Sequence, residues 1–319
     1  MSKEKILITG GAGYLGSVIS EHLVNKGYTV TVLDNLMYNQ NSLLHLFHNK
    51  RFNFVYGDVR DTNLLKKITP DFDFILPLAA IVGANASESS PELSQAINLG
   101  AIKTINQIRN SKKQKIIFPT TNSGYGTKSG DTYCTEETPL EPISIYGRTK
   151  VEAERILLDS GNVITLRLAT CFGFSLRMRI DLLVNNFVYK AVKDGYIVLF
   201  ERHFKRNFLH VRDAARCFEH CIENFESMKN EPYNVGLEDA NLSKEELALK
   251  IRDIISKLLE KEFHIQNSEL AKDPDKRNYI VSNNKIMKSG FKCEYSIDQG
   301  IEELVKGYSM LYDRHYTNF

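Results

Sequence analysis

Apolar positions in the first half of the chain fall into short runs separated by polar stretches with helical spacing. Ile6, Leu7 and Ile8 form a run too short for a helix and bounded by glycine, which predicts a buried strand. Residues 29–33, 52–56, 72–78, 115–119 and 163–168 repeat that pattern. Between them, amphipathic stretches predict helices at 14–25, 63–68, 91–109 and from about Tyr146 onward. Strands alternating with helices imply an α/β fold: a parallel sheet covered on both faces and doubly wound by right-handed crossovers. Beyond Gly173 the alternation loosens into helices at 181–193, 212–225, 243–260 and 297–311, with short strands at 197–200, 207–209 and 233–235. Ser243 with Glu246 has the spacing of a capping box.

Glycines punctuate the first strand–helix junction. Gly10, Gly13 and Gly16 follow the first apolar run three apart, and the amphipathic run from Tyr14 follows them. Strand, glycine turn and helix in that order set backbone N–H groups and the positive end of a helix dipole beside one point, where pyrophosphate fits. The second strand ends at Asp34, eighteen residues after Gly16. A carboxylate at that distance accepts both ribose hydroxyls of NAD and repels the 2′-phosphate of NADP. NAD is therefore the expected cofactor. Asp58, in Gly57-Asp58-Val59-Arg60-Asp61 after the third strand, has the chemistry to receive an adenine amino group, while an N-cap by Asp61 explains part of the same pattern. Ala79, Ala80 and Gly83 are small enough to let a cofactor lie against the backbone; Asn98 suits bracing a loop better than reacting. We expect residues 1–170 to form a Rossmann-type NAD-binding domain carrying the catalytic groups. Residues 171–319 should form a smaller, mixed, mainly substrate-binding domain, some of whose segments can return to the first.

Composition narrows the class. A chain of 319 residues with 42% hydrophobic and 25% charged content is globular, not low-complexity. The opening MSKEK lacks the apolar core of a signal peptide, and the apolar run 74–84 is broken by Pro77 and Gly83. A cytoplasmic protein without a membrane partner is expected. Five cysteines, with no C-x-x-C, suit reduced thiols. Cys217, His220 and Cys221 share a helical face, but a structural zinc wants four ligands with a second close pair, so core packing is the better reading and no metal is expected. The net charge of +2 is uneven: residues 167–216 hold ten Lys or Arg against four Asp or Glu. That window is either a solvated basic surface or a pocket for a second anion. Its aromatics are spaced for buried faces and no nucleic-acid module is visible, so no nucleic-acid partner is expected.

Tyr146 and Lys150 stand four apart, on one face of a predicted helix. A free tyrosine, with a pKa of about 10, is protonated at neutral pH. A lysine ammonium one turn away, together with an oxidised nicotinamide, favours the phenolate and makes Tyr146 a usable general base toward a hydroxyl carbon losing hydride. A surface Tyr–Lys pair is the plain alternative. A nucleotide-sensing protein on the same fold is the alternative of a different class, and such proteins typically lack the pair.

Taken together, TGGAGYLG, LDNL, GDVRD, LPLAA, PTTNSGYG, YGRTK, RNFLHVRDAA and YNVG make the chain resemble, over essentially its full length, the extended short-chain dehydrogenase/reductases of the nucleotide-sugar epimerase and dehydratase family. The resemblance implies that Tyr146 is the base, Lys150 anchors the nicotinamide ribose and Thr121, four before Tyr125, polarises the reacting sugar oxygen. It also implies a cofactor site of Gly10, Gly13, Tyr14, Leu15, Gly16, Asp34, Asn35, Asp58, Val59, Ala79, Ala80 and Lys150. Asn122, Ser123, Thr170, Arg177, Arg179, Asn185, Arg206 and Arg277 are the implied contacts of a nucleotide-diphosphate sugar, with Arg206 and Arg277 toward its phosphates or ribose.

Departures from the family pattern sharpen the expectation. Its 4,6-dehydratases carry an acidic pair after the catalytic threonine, where this chain has Asn122 and Ser123, so elimination of water is not expected. Thr170 stands where an asparagine is frequent. The run SLRMRIDLLVN looks more like enzymes acting on GDP-heptoses in bacterial capsule synthesis, including a 4-dehydrogenase, than like galactose epimerases. The expected reaction is therefore C4 oxidation, with 4-epimerisation as the alternative. Apolar residues beyond one stripe (Leu93, Ile97, Leu99, Ile102, Ile105) and the family resemblance suggest a homodimer paired through the helices at 91–109 and 146–160.

Overall fold

Seven parallel strands form the central sheet: β1 (Lys5–Thr9), β2 (Thr29–Asp34), β3 (Phe52–Tyr56), β4 (Phe74–Pro77), β5 (Lys115–Thr121), β6 (Val163–Leu168) and β7 (Glu231–Val235). Their order across the sheet is β7-β6-β5-β4-β1-β2-β3. The computed structural model describes residues 3–128, 133–260, 262–268 and 278–311. Among the described residues, seven helices have eight or more residues: α1 (Tyr14–Asn25), α2 (Ala101–Ile108), α3 (Ile145–Ser160), α4 (Leu183–Lys193), α5 (Val211–Glu223), α6 (Lys244–Leu259) and α7 (Ile297–Tyr308).

Alternation along each strand explains why the sheet is covered on both sides. Ile6, Ile8, Val30, Val32 and Leu76 face one layer, where α1 contributes Ile19 and Leu23 and α5 contributes Phe218. Leu7, Ile75, Ile116 and Phe118 face the other, against Ile102 and Ile105 of α2 and Ala153 and Leu157 of α3. At roughly 1.5–3 kcal/mol for each fully buried aliphatic or aromatic side chain, these two stripes outweigh the modest local propensities of the strands. A third cluster joins α4, α6 and α7 through Val184, Val188, Leu247, Ile251, Ile301 and Leu304. Strand order reverses between β1 and β4, and the crevice beyond their carboxyl ends is where such sheets bind ligands.

Several expectations change in detail. The helix expected at 91–109 is three contiguous segments: Pro91–Gln95 (α), Ala96–Gly100 (π) and α2. The π turn has a cause, since Asn98 lies within it. Its amide accepts from the Ile81 N–H (2.8 Å) and donates to the Ile81 carbonyl (3.0 Å), bracing the loop after β4. Ile97, Leu99, Ile102 and Ile105 are buried in the chain's own core, and Leu93 packs against it. They therefore give no argument for a subunit contact, which corrects that part of the reading. Strand β7, from the second half, joins β6 in the main sheet. Cys217 and Cys221 are core residues, while His220 shares a hydrogen bond with the Ser289 hydroxyl (3.0 Å). No helix among the described residues is long and apolar enough to cross a membrane.

Candidate active site

The glycine turn shapes one end of a deep cavity. Gly10 has φ +72°, and a Cβ there would lie 2.6 Å from the Ala79 backbone. A Cβ on Gly16 would lie 2.4 Å from the Gly10 carbonyl oxygen, so helix and turn pack closely only with glycine at both positions. Gly13 caps α1 with no side-chain hydrogen bond and no acidic residue in the first turn. Gly10, Gly13, Tyr14, Leu15 and Gly16 line the cavity, so it receives the positive end of α1.

Asp34, Asn35, Asp58, Val59, Ala79 and Ala80 continue the same wall. Burial pushes the Asp34 carboxyl up, against the backbone N–H groups of Leu36 (2.8 Å) and Ala12 (2.9 Å) that favour its charged form. Gln40 donates at 3.3 Å to the oxygen already holding Leu36, whereas the other accepts from the Ala12 N–H. Asp58 is different. Arg60 forks onto both its oxygens (2.9 and 2.8 Å), its backbone N–H adds a bond (2.8 Å) and Asn35 donates a fourth (3.1 Å), holding the Asp58 carboxyl down at about 2. An adenine amino group there would have to share occupied acceptors.

Thr121, Tyr146 and Lys150 line the other part of the cavity. Ser144 caps α3 by accepting from the Gly147 N–H (3.1 Å), which starts the helix at Ile145, one residue before Tyr146. Thr121 closes β5, and its hydroxyl accepts from the Ser123 N–H (3.1 Å) and pairs with the Ser123 hydroxyl (2.9 Å). Lys150 is 4% exposed, with its Nζ 4.1 Å from the centre of the Phe118 ring. Burial pushes its amine down to about 7, with the Glu154 carboxylate acting in the opposite direction. Thr170, Arg177 and Arg179 complete the wall. Asp181 grips Arg179, and Arg177 lies over the Tyr38 ring at 4.9 Å.

Four expected substrate contacts do not line this cavity. Asn122 and Ser123 are buried, Ser123 serving Thr121 from behind. Asn185 is fully buried and holds the 173–182 loop together, accepting from the Gly173 N–H (3.1 Å) and donating to the Arg179 carbonyl (2.9 Å). Arg206 is buried beside Tyr279, 5.7 Å from its ring, and Tyr279 forms the wall instead. Arg277 lies outside the described residues. Tyr38, Gln40, Cys171 and Tyr279 line the cavity without having been expected. Tyr38 and Gln40 follow Asp34 closely enough to have been suspected; nothing in the sequence points to Tyr279.

The basic window resolves into pairs rather than one anion pocket. Arg167 is held by Glu154 (2.7 Å), Arg202 by Glu245 (2.8 Å), Arg212 by Glu303 (2.9 Å) and Arg216 by Asp213 (2.6 Å). Of the ten basic residues, Arg177 and Arg179 reach the cavity wall.

Comparison with known proteins agrees with this geometry. Residues 6–236 match the model of the NAD dependent epimerase/dehydratase family. The low-salt glycan biosynthesis protein Agl12 of Haloferax volcanii is 26% identical over 311 residues, 95% of this chain and 98% of that protein. UDP-glucuronic acid decarboxylase 1 of Arabidopsis thaliana is 26% identical over 317 residues, 95% of this chain and 69% of that protein. In fold, the chain is similar to the UDP-glucuronic acid 4-epimerase of Bacillus cereus, with a TM-score of 0.84 at 24% identity, over 97% of this chain and 100% of that one.

Proposed function

The chain belongs to the NAD dependent epimerase/dehydratase family, and on that premise we propose that it oxidises the C4 hydroxyl of a nucleotide-diphosphate sugar. The observation that carries this reading is one cavity lined both by the glycine turn with Asp34 and by Thr121, Tyr146 and Lys150.

Three features fit NAD. No side chain caps the α1 terminus, Gly13 keeps the cradle clear of a Cβ, and Asp34 presents carboxylate oxygens that suit a ribose hydroxyl. Bound NAD supplies the hydride acceptor. The phenolic oxygen of Tyr146 takes the proton of the C4 hydroxyl, and Lys150 in its ammonium form favours the phenolate that does so. Thr121 already accepts from the Ser123 N–H, and when Ser123 also donates its hydroxyl hydrogen, the Thr121 hydrogen is left to point at the sugar oxygen. The Asp34 carboxylate would repel a 2′-phosphate, so NAD(H) should bind well ahead of NADP(H). Asp34→Ala should weaken NAD binding in calorimetry and narrow that preference; equal affinities in the parent protein would refute the assignment.

Dehydration would need an acid and a base beside Thr121, and Asn122 and Ser123 supply neither. The product should keep every oxygen of the substrate. We read the chain as a dehydrogenase releasing the 4-keto sugar. The run from Ser175 to Asn185, with Arg177 and Arg179 on the cavity wall, supports GDP-D-glycero-D-manno-heptose as substrate and a role in capsule or surface polysaccharide synthesis. The family's description favours a second reading, a 4-epimerase that returns hydrogen to the opposite face of the same carbon. Incubation with a panel of nucleotide sugars separates these outcomes. A dehydrogenase gives a product lighter by two hydrogens with cofactor left reduced, so that repeated turnover needs a second oxidant. An epimerase gives unchanged mass with inversion at C4 by NMR. Loss of water would overturn both.

A further inference from the structure

Tyr146, Lys150 and Glu154 occupy successive turns of α3, on one face of the helix. Glu154 is 3% exposed, and a carboxylate buried so deeply should be fully partnered. It is not. Arg167 sends both Nε (3.0 Å) and Nη2 (2.7 Å) to the same oxygen, Oε1. Its remaining donor nitrogen, Nη1, serves the Tyr125 hydroxyl (3.1 Å) and the Glu136 carbonyl (3.0 Å). Oε2 has no hydrogen-bond partner among the described residues. A purely structural Arg–Glu pair would gain from a fork on both oxygens. Helical side chains lean toward the N-terminus of their helix, so Glu154 leans toward Lys150.

We propose that Glu154 is a positioning residue for the reaction: its carboxylate, one turn beyond Lys150 and bound by Arg167 through one oxygen only, keeps that buried side chain an ammonium while Arg167 fixes the carboxylate in place. The charged and titratable groups around the pair are few. Lys150 faces Tyr146 and Glu154 on its own helix and the Phe118 ring on β5. Glu154 acts on Lys150 from one turn along the helix and is held, from β6, by Arg167, which also reaches the Tyr125 hydroxyl. Arg179 acts on Tyr146 from the 173–182 loop. Burial works against the Lys150 ammonium and Glu154 works for it.

The inference rests on Lys150 holding the cofactor ribose, so its test uses NADH binding and no sugar; failure of the sugar chemistry leaves it readable. Calorimetry from mildly acidic to alkaline pH should show affinity falling as Lys150 loses its proton, and Lys150→Met should remove that dependence. Glu154→Gln should move the midpoint down by roughly one pH unit, a loss of about tenfold in affinity on the alkaline side with little change on the acid side. The double variant Glu154→Gln/Arg167→Met, which leaves no unpaired guanidinium, should show the same displacement. An unmoved midpoint in folded variants overturns the proposal, as does an equal loss at every pH. A displacement confined to the single variant would assign the effect to unpaired Arg167 and also overturn it. Unfolding of both variants would give Glu154 a role in the fold alone, and the proposal would fall with it.

Discussion

Tyr146→Phe is expected to fold, to bind NAD(H) like the parent protein, and to lose turnover by roughly two to four orders of magnitude. The ring remains on the cavity wall beside Ser144 and Lys150, so packing changes little. What disappears is the oxygen that receives the C4 proton. Steady-state kinetics with the best substrate of the panel, beside NADH titration, separates this from a binding defect. A variant that keeps more than about a tenth of parental turnover would remove Tyr146 from the role of base.

The second large effect concerns Lys150, where activity and stability should move in opposite directions. Its folded value of about 7 lies below the ordinary lysine value of about 10.4. Between those values the unfolded chain binds more protons than the folded one, so this group makes stability rise with pH across that window. Below about 7 the penalty for a buried ammonium is fully present, and above the free value it is gone. Lys150→Met should therefore abolish turnover yet leave the nucleotide-free protein more stable than the parent at neutral pH and below, the gain shrinking as pH rises. Thermal unfolding across pH without nucleotide checks both sign and window. A variant less stable than the parent at neutral pH would show that Lys150 is not strained by burial.

Much of the main sheet could be read from sequence because its strands are buried on both faces. Runs such as Ile6-Leu7-Ile8 carry that burial in their composition, and the glycine turn and Asp34 carry the topology. The π turn at Ala96–Gly100 was not legible, since it follows from Asn98 meeting the backbone of Ile81, a contact between distant segments. The three-residue strands Thr170–Phe172 and Asn241–Ser243 likewise exist through tertiary pairing rather than local pattern. In the site, the residues tied to backbone motifs line one cavity. Asn122, Ser123 and Asn185 are substrate contacts only by the family resemblance, and neither motif position nor periodicity distinguishes a polar group facing a cavity from one buried to brace a loop. Arg206 and Tyr279 show the same limit, since the arginine stands behind the aromatic ring that forms the wall.

Transfer of hydrogen from C4 is the centre of the proposed chemistry, and a nucleotide sugar deuterated at that carbon tests it most directly. Enzyme in excess over labelled sugar, quenched before the reaction is complete, should contain reduced cofactor carrying the deuterium and a 4-keto sugar with every oxygen retained. Sugar consumed while the cofactor never acquires the label would contradict the assignment of C4 as the carbon oxidised.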